Sequence, residues 1–274
     1  YHARGLAPLE NEDQRKWIMD LVSRLAPKGR ISINAMMHKD NTSRADVQRW
    51  MQNVFGEQVQ IGEGTFIDPY DEGGMSATFD KHSDHIAYRK QAFHEISSEQ
   101  VWNFQVVGAK IQEFVDSVQT KRPASVVGQK CGMDRSDNLV VDLNGNVLTC
   151  QNVSHTSVAP NGESHKAGHI TELSQVKLKT STHWSKRNNC ANCPVLQICK
   201  GSCMFLEGAL WERACNTAFT DNIPFFAAGI QMMTGGLVPI YIDGPLPEDR
   251  KDIFGLINGV KESVKPFPIP VVSA

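Results

Sequence analysis

Trp17, Ile18, Leu21, Val22 and Leu25 recur at the spacing of one helical face, behind Asn11 and Gln14 arranged as a capping box. Pro27-Lys28-Gly29 stops that helix, and Ile31, Ile33 and Ala35 then alternate as a strand. Ser43 is placed to cap a second helix carrying Val47, Trp50, Met51 and Val54 on one face, ended by Gly56. Val59, Ile61 and Phe66 mark a second strand, broken at Gly62 and Gly64, before a loop over 69–74. Neither Gly62-Glu-Gly64 nor Gly73-Gly74 has the helix-opening context of a phosphate-binding loop, so both read as turns. Helix, strand, helix, strand with short links is the rhythm of a parallel α/β layer. Two strands alone do not make a stable sheet of that kind, so this stretch predicts the end of a barrel or sheet.

Further along, residues 75–95 are polar with weak helical character. A long amphipathic helix is then predicted, with Ser97 as its cap and Val101, Phe104, Gly108, Ile111, Phe114, Val115 and Val118 facing inward, ended by Pro123. The stretch 128–216 is rich in Asn, Gly and Ser and short of periodic segments. Metal ligands, and not a large apolar core, would have to hold it together. Within it, Asn138-Leu-Val-Val-Asp-Leu-Asn-Gly-Asn-Val-Leu-Thr149 reads as a hairpin. Beyond Cys215 come an apolar patch at Phe225 and Phe226, a strand over Leu237–Ile242 and a short helix near 248–258. The residues from Phe225 to Met233 read as core or packing surface. The tail Lys265-Pro-Phe-Pro-Ile-Pro270 favours a polyproline-like conformation.

Composition narrows the function classes. The 274 residues suit one large domain or two modest ones, and 41% apolar with 21% charged residues is ordinary globular usage. A net charge of −2 gives no electrostatic reason to bind nucleic acid or an acidic membrane, and basic pairs such as Lys186-Arg187 read as solvated surface. No apolar run approaches a membrane span; the longest, Ile223–Ile230, is far too short. With no leader-like start, a cytoplasmic, reducing setting is expected, and the opening at Tyr1 suggests sequence further upstream. In a reducing compartment thiols serve as metal ligands or catalysts more often than as disulfides, and seven cysteines cannot all pair within one chain.

Those seven carry the chemistry. Five run Cys190-x2-Cys193-x5-Cys199-x3-Cys203 and then Cys215, while Cys131 and Cys150 flank the hairpin. A structural zinc site would take two ligand pairs separated by a finger. Cys190/Cys193 and Cys199/Cys203 form such pairs, but five residues make a short finger and three cysteines are left over. Tetracysteinate iron–sulfur ligation, with closely spaced thiolates plus a remote one, suits the count better: one set of four and one of three.

The full order, including Gly145-x4-Cys150, resembles the seven-cysteine signature of the SPASM domain, the C-terminal extension of many radical S-adenosylmethionine enzymes. Asp142–Cys150 is similar to the family's hairpin, Ala167-Gly-His-Ile-Thr-Glu172 to its G-x-I-x-E element, and Cys199-Lys-Gly-Ser-Cys203 to its glycine-containing turn. More loosely, His2-x-Arg4-Gly5, the first helix, Ile31–Met37 and Asn41 resemble the middle of a radical SAM barrel. The resemblance implies an α/β fold: part of a (β/α) barrel over 1–75, a helical linker over 76–125, a small α+β SPASM domain over 126–216 and an extension over 217–274. It assigns Cys190, Cys193, Cys199 and Cys215 to one auxiliary [4Fe–4S] cluster, and Cys131, Cys150 and Cys203 to the other. The latter's fourth position would be open or filled by a non-thiolate. Asp134 and Asp137 lie near enough in sequence, though solvated turn acids are the commoner reading.

For an intact enzyme the resemblance implies reductive cleavage of S-adenosylmethionine to a 5′-deoxyadenosyl radical and hydrogen abstraction from a peptide or protein side chain. The auxiliary clusters would relay the substrate's electron, and a flavodoxin or ferredoxin would act as donor. One departure is plain. The C-x3-C-x2-C triplet that binds the catalytic cluster is absent, since Leu206 follows Cys199-x3-Cys203 at the required position. The chain thus reads as the C-terminal part of a longer enzyme, with a degenerate stand-alone relative as the other reading. The alternatives are a non-catalytic iron–sulfur module for electron transfer or peptide binding, and a structural zinc protein. His82-x2-His85 with Asp80, Asp84 and His94 could form a metal face, although a polar solvated helix with incidental histidines is the simpler expectation. His155, His165, His169 and His183 read as loop surface or caps in preference to ligands. No residue stands out as the acid or base acting on substrate.

Overall fold

The computed structural model describes residues 11–25, 32–55, 60–69, 72–98, 101, 104–121, 130, 132–133, 135, 137–159, 162–177 and 182–257. His2, Arg4, Gly5, the 27–29 stop, Ile31, Gly56, Val59, Pro123, Cys131, Asp134 and the 265–270 tail lie outside the described residues. The fold mixes helices with one parallel strand pair and one three-stranded antiparallel sheet.

Helix α1 (Glu12–Leu25) opens where Asn11 Oδ1 accepts the N–H groups of Asp13 and Gln14, both at 3.1 Å. Strand β1 (Ser32–Asn34) leads to helix α2 (Arg44–Phe55) and then to β2 (Gln60–Glu63), which pairs with β1 in parallel. This is the β–α–β unit that the hydrophobic pattern predicts. The cap of α2 is shared. Ser43 Oγ accepts the Asp46 N–H at 3.0 Å, and the Glu95 carboxylate accepts the Arg44 N–H at 3.0 Å. Strand β2 runs through Gly62, where a break was expected, and a register shift falls opposite, between Ile33 and Asn34. The 69–74 loop holds the start of a helical turn, α3 (Glu72–Met75).

The next two helices differ from expectation. Helix α4 (His82–Ser97) is not a solvated polar helix: it buries His85, Tyr88, Arg89, Ala92, Glu95 and Ile96. Its inward polar groups find partners, which hides the apolar period. Ser97 ends α4 and does not cap its successor, and α5 (Gln105–Gln119) starts after Phe104. A single helix, α7 (Gly208–Thr234), then spans Cys215, the Phe225 patch and the internal Pro224. The strand expected over 237–242 does not form among the described residues. Tyr241 makes one isolated bridge to Asp252, and the helix near 248–258 is reduced to α8 (Glu248–Lys251).

In the cysteine-rich stretch, β3 (Val140–Val141) and β4 (Asn146–Leu148) form the expected hairpin, and β5 (Lys166–His169) adds to β4 antiparallel. Asp142 shapes its turn by accepting the Asn144 and Asn146 N–H groups at 2.9 and 3.0 Å. A short helix, α6 (Leu196–Cys199), precedes α7. The main core joins Met37 and Phe66 to Tyr88, Phe104, Phe114 and Phe225; a second joins Val195, Phe219 and Ile223 to Ile253 and Phe254. Helix α7 runs through both. Burial of this kind contributes about 1.5–3 kcal/mol per large apolar side chain. Among the described residues, no helix is long and apolar enough to cross a membrane.

Candidate metal centre

Successive tight turns carry three cysteines through 190–199. The Cys193 N–H donates to Cys190 O at 3.0 Å, Leu196 N–H to Cys193 O at 3.1 Å, and Cys199 N–H to Val195 O at 2.8 Å. Lys200, Gly201 and Ser202 then all take left-handed φ values of 55°, 82° and 57°, reversing the chain before Cys203. Cys215 enters from the N-terminal part of α7. Cys190, Cys193, Cys199 and Cys215 thereby line one cavity, floored by Phe219 and Trp211 and reached by Arg250.

Burial is the first influence on each of these thiols. Burial pushes the Cys190 thiol up to about 11 and the Cys193 thiol up to about 12, with the charges of Cys215 and Cys199 adding to both. Burial also raises Cys199, again with Cys215 adding. Burial likewise pushes Cys203 up to about 11, with Asp68, which also acts on Cys199, and Cys150 adding. Cys150 follows directly from β4 through Leu148 and Thr149, so the hairpin delivers it toward Cys203. Four of the thiols thus line one cavity that Cys203 does not line, while Asp68 acts on both Cys199 and Cys203.

Cationic side chains frame both groups. Arg250 Nη2 donates to Cys215 Sγ at 3.3 Å and to Asn216 Oδ1 at 2.6 Å. Arg187 is buried and not solvated surface. It donates to the carbonyls of Cys203, Met204 and Leu206 at 3.4, 3.4 and 2.9 Å and stacks 4.6 Å over Trp211. Lys130, next to Cys131 in sequence, bonds Asp68 Oδ2 at 2.7 Å, and Asp68 Oδ1 accepts from Ser202 Oγ at 3.2 Å. Sequence reasoning missed all of these. Isolated cations and acids carry no spacing signal, and their meaning comes only from the chain folding back on the cysteines.

The histidines are accounted for by ordinary hydrogen bonds. His85 is buried against Thr220 Oγ1 at 2.8 Å, while His82, Asp84 and His94 are exposed, and among the described residues they form no group that could hold a metal ion. His155 pairs with Asp142 at 3.1 Å, His165 with Thr149 at 2.6 Å, His169 with the Asn144 carbonyl at 2.9 Å and His183 with Ser185 at 2.7 Å. Asp137 is exposed and paired with Arg135. Cys131 and Asp134 lie outside the described residues, so the second cysteine set is seen only through Cys150 and Cys203.

Four soft sulfur donors, Cys190 buried and the other three half-buried, beside a guanidinium suit an anionic iron–sulfur cluster in number and chemistry. The cavity lined by these thiols holds about 20 Å³ of free space. Among the described residues, no three His, Cys, Asp or Glu side chains meet in a geometry that would hold a single metal ion. Comparison with family models, curated proteins and solved structures finds no match for this chain.

Proposed function

We propose that this chain is the cluster-carrying C-terminal portion of a radical S-adenosylmethionine enzyme with a SPASM domain, modifying a peptide or protein side chain and holding two auxiliary [4Fe–4S] clusters. The observation that carries this is the interleaved division of the cysteines. Cys190, Cys193, Cys199 and Cys215 line one cavity, whereas Cys203, only four positions beyond Cys199, does not line it and follows the reversed turn that sets Ser202 against Asp68. A sequence-local zinc knuckle would use Cys190, Cys193, Cys199 and Cys203 together. The skipped Cys203 and the remote Cys215 match the seven-cysteine pattern instead. The parallel β1–α2–β2 unit ahead of the cysteine-rich stretch supports a partial barrel at the N-terminal side.

When bound, clusters of this kind supply one-electron transfer. The chain's own part is to provide three cysteines from the 190–199 turns and one from α7, to shield them with Phe219 and Trp211, and to hold the Cys203 turn through Arg187. Such an enzyme also needs a C-x3-C-x2-C triplet for S-adenosylmethionine, which these residues do not contain. Anaerobic purification with iron and sulfide reconstitution, followed by metal analysis, tests the proposal. Two full cubanes give about eight irons per chain and broad absorption near ~400 nm. Stoichiometric zinc with no iron would overturn it.

A further inference from the structure

Arg250 lies outside the cysteine-rich stretch and belongs to the short helix α8, yet its side chain ends inside the four-cysteine cavity. It is only 4% exposed. A guanidinium taken out of water needs an anion and filled hydrogen bonds, or its burial costs several kcal/mol. Arg250 has no carboxylate at ion-pairing distance among the described residues. What it has is Cys215 Sγ at 3.3 Å, Asn216 Oδ1 at 2.6 Å and the face of Phe219 at 5.0 Å. Asn216 and Phe219 are neutral, so among these contacts the Cys215 sulfur is the one that can carry negative charge, with Asp249 adding from beyond ion-pairing distance.

The surroundings fix the arginine there. Ile253 and Phe254, following α8, pack with Val195, Phe219 and Ile223 in the second core. Arg89 of α4 binds the Asp249 and Ile253 carbonyls at 3.5 and 3.4 Å, clamping the segment on either side of Arg250. Arg250 is thus a buried, held cation aimed at the Cys215 sulfur. Hydrogen bonds to cluster sulfurs and nearby charge are two of the protein's controls over cluster potential.

We propose that Arg250 is the charge-compensating positioning residue of the four-cysteine site: it bonds the Cys215 sulfur and raises the reduction potential of the cluster held there. This rests on the iron–sulfur proposal above. A positive charge and an N–H donor at one ligand sulfur favour the more negative, reduced state, so the four-cysteine cluster would be the easier of the two to reduce than it would be without Arg250. The cluster on the Cys150 and Cys203 side has no such contact with Arg250 and would not follow.

The test is a redox titration of the reconstituted full chain, monitored by electron paramagnetic resonance and visible absorption, for wild type, Arg250→Met and Arg250→Lys. The expected result is full iron in all three, with one of the two potentials shifted downward in Arg250→Met. That shift should be largely restored in Arg250→Lys, and the second potential should stay unchanged. If Arg250→Met fails to fold, Arg250→Gln, which keeps a donor but loses the charge, should give the same one-sided downward shift. Iron-loaded variants with both potentials unchanged, or with both moved equally, would overturn the role of Arg250 alone. Wild-type protein that takes up no iron would remove the cluster proposal and this one with it.

Discussion

Between Cys199 and Cys203 three successive residues occupy the left-handed region, and the middle one has no room for a side chain. A Cβ on Gly201 would lie 2.5 Å from Trp184 Cβ. Gly162 has a similar φ of 83° but open space around it. Gly201→Ala is therefore expected to cost about 2–4 kcal/mol in urea unfolding, from strain plus a clash. Gly162→Ala should cost only ~1 kcal/mol; equal effects would mean that the turn tolerates movement of Trp184. At this scale the sequence showed the cysteines well, because thiol spacing is informative in itself. It showed Arg187, Arg250 and Asp68 poorly. A single charged residue looks like solvated surface until the fold supplies a sulfur, a carbonyl or a ring beside it.

Helices α4 and α7 meet through polar groups, which is why both were hard to read. The inward face of α4 carries His85, Arg89 and Glu95, breaking the apolar period. Helix α7 is buried on almost every side from Thr217 to Gly229, so it has no amphipathic stripe, and Pro224 reads as a stop. Burial holds through the proline because the helix sits between two cores. One pH effect belongs to this contact. His85 is brought down from the usual 6.5 to about 4, first by burial and then by the charges of Arg89 and His82. Because the folded value is depressed, the unfolded chain binds the proton first as pH falls. His85 therefore costs no stability above pH 6.5, and stability is lost progressively down toward about pH 4. A His85→Gln variant should have a flatter stability–pH curve across that window, measured by chemical denaturation at fixed pH steps. Parallel curves would contradict the neutral, buried assignment.

Across the whole molecule, one carboxylate ties the N-terminal layer to α7. Asp221 accepts from Arg44, from Tyr88 Oη at 2.7 Å and from Lys110 Nζ at 3.0 Å. Burial alone would raise its pKa, but the Lys110 and Arg44 charges hold it well below the usual carboxylate range. Its stabilising effect is present above the unfolded value of about 4 and is lost as pH falls toward the folded one. Asp221→Ala leaves two buried cations unmatched and is expected to destabilise by about 3–5 kcal/mol; a loss under 1 kcal/mol would mean the cations relax to water. None of this network was legible in advance, since its members come from positions 44, 88, 110 and 221, which no local period connects. The parallel β1–α2–β2 unit and the β3–β4 hairpin were legible, because each is encoded by neighbours in sequence.

The interleaving of the cysteines is the central claim, and one measurement bears on it most directly: iron per chain in reconstituted wild type, Cys199→Ala and Cys203→Ala, with the potentials of what remains. The two variants should each lose about half of the iron, and each should keep a different cluster with a different potential. The same cluster lost in both, with the other retained in both, would show that Cys199 and Cys203 share one site and would contradict the division.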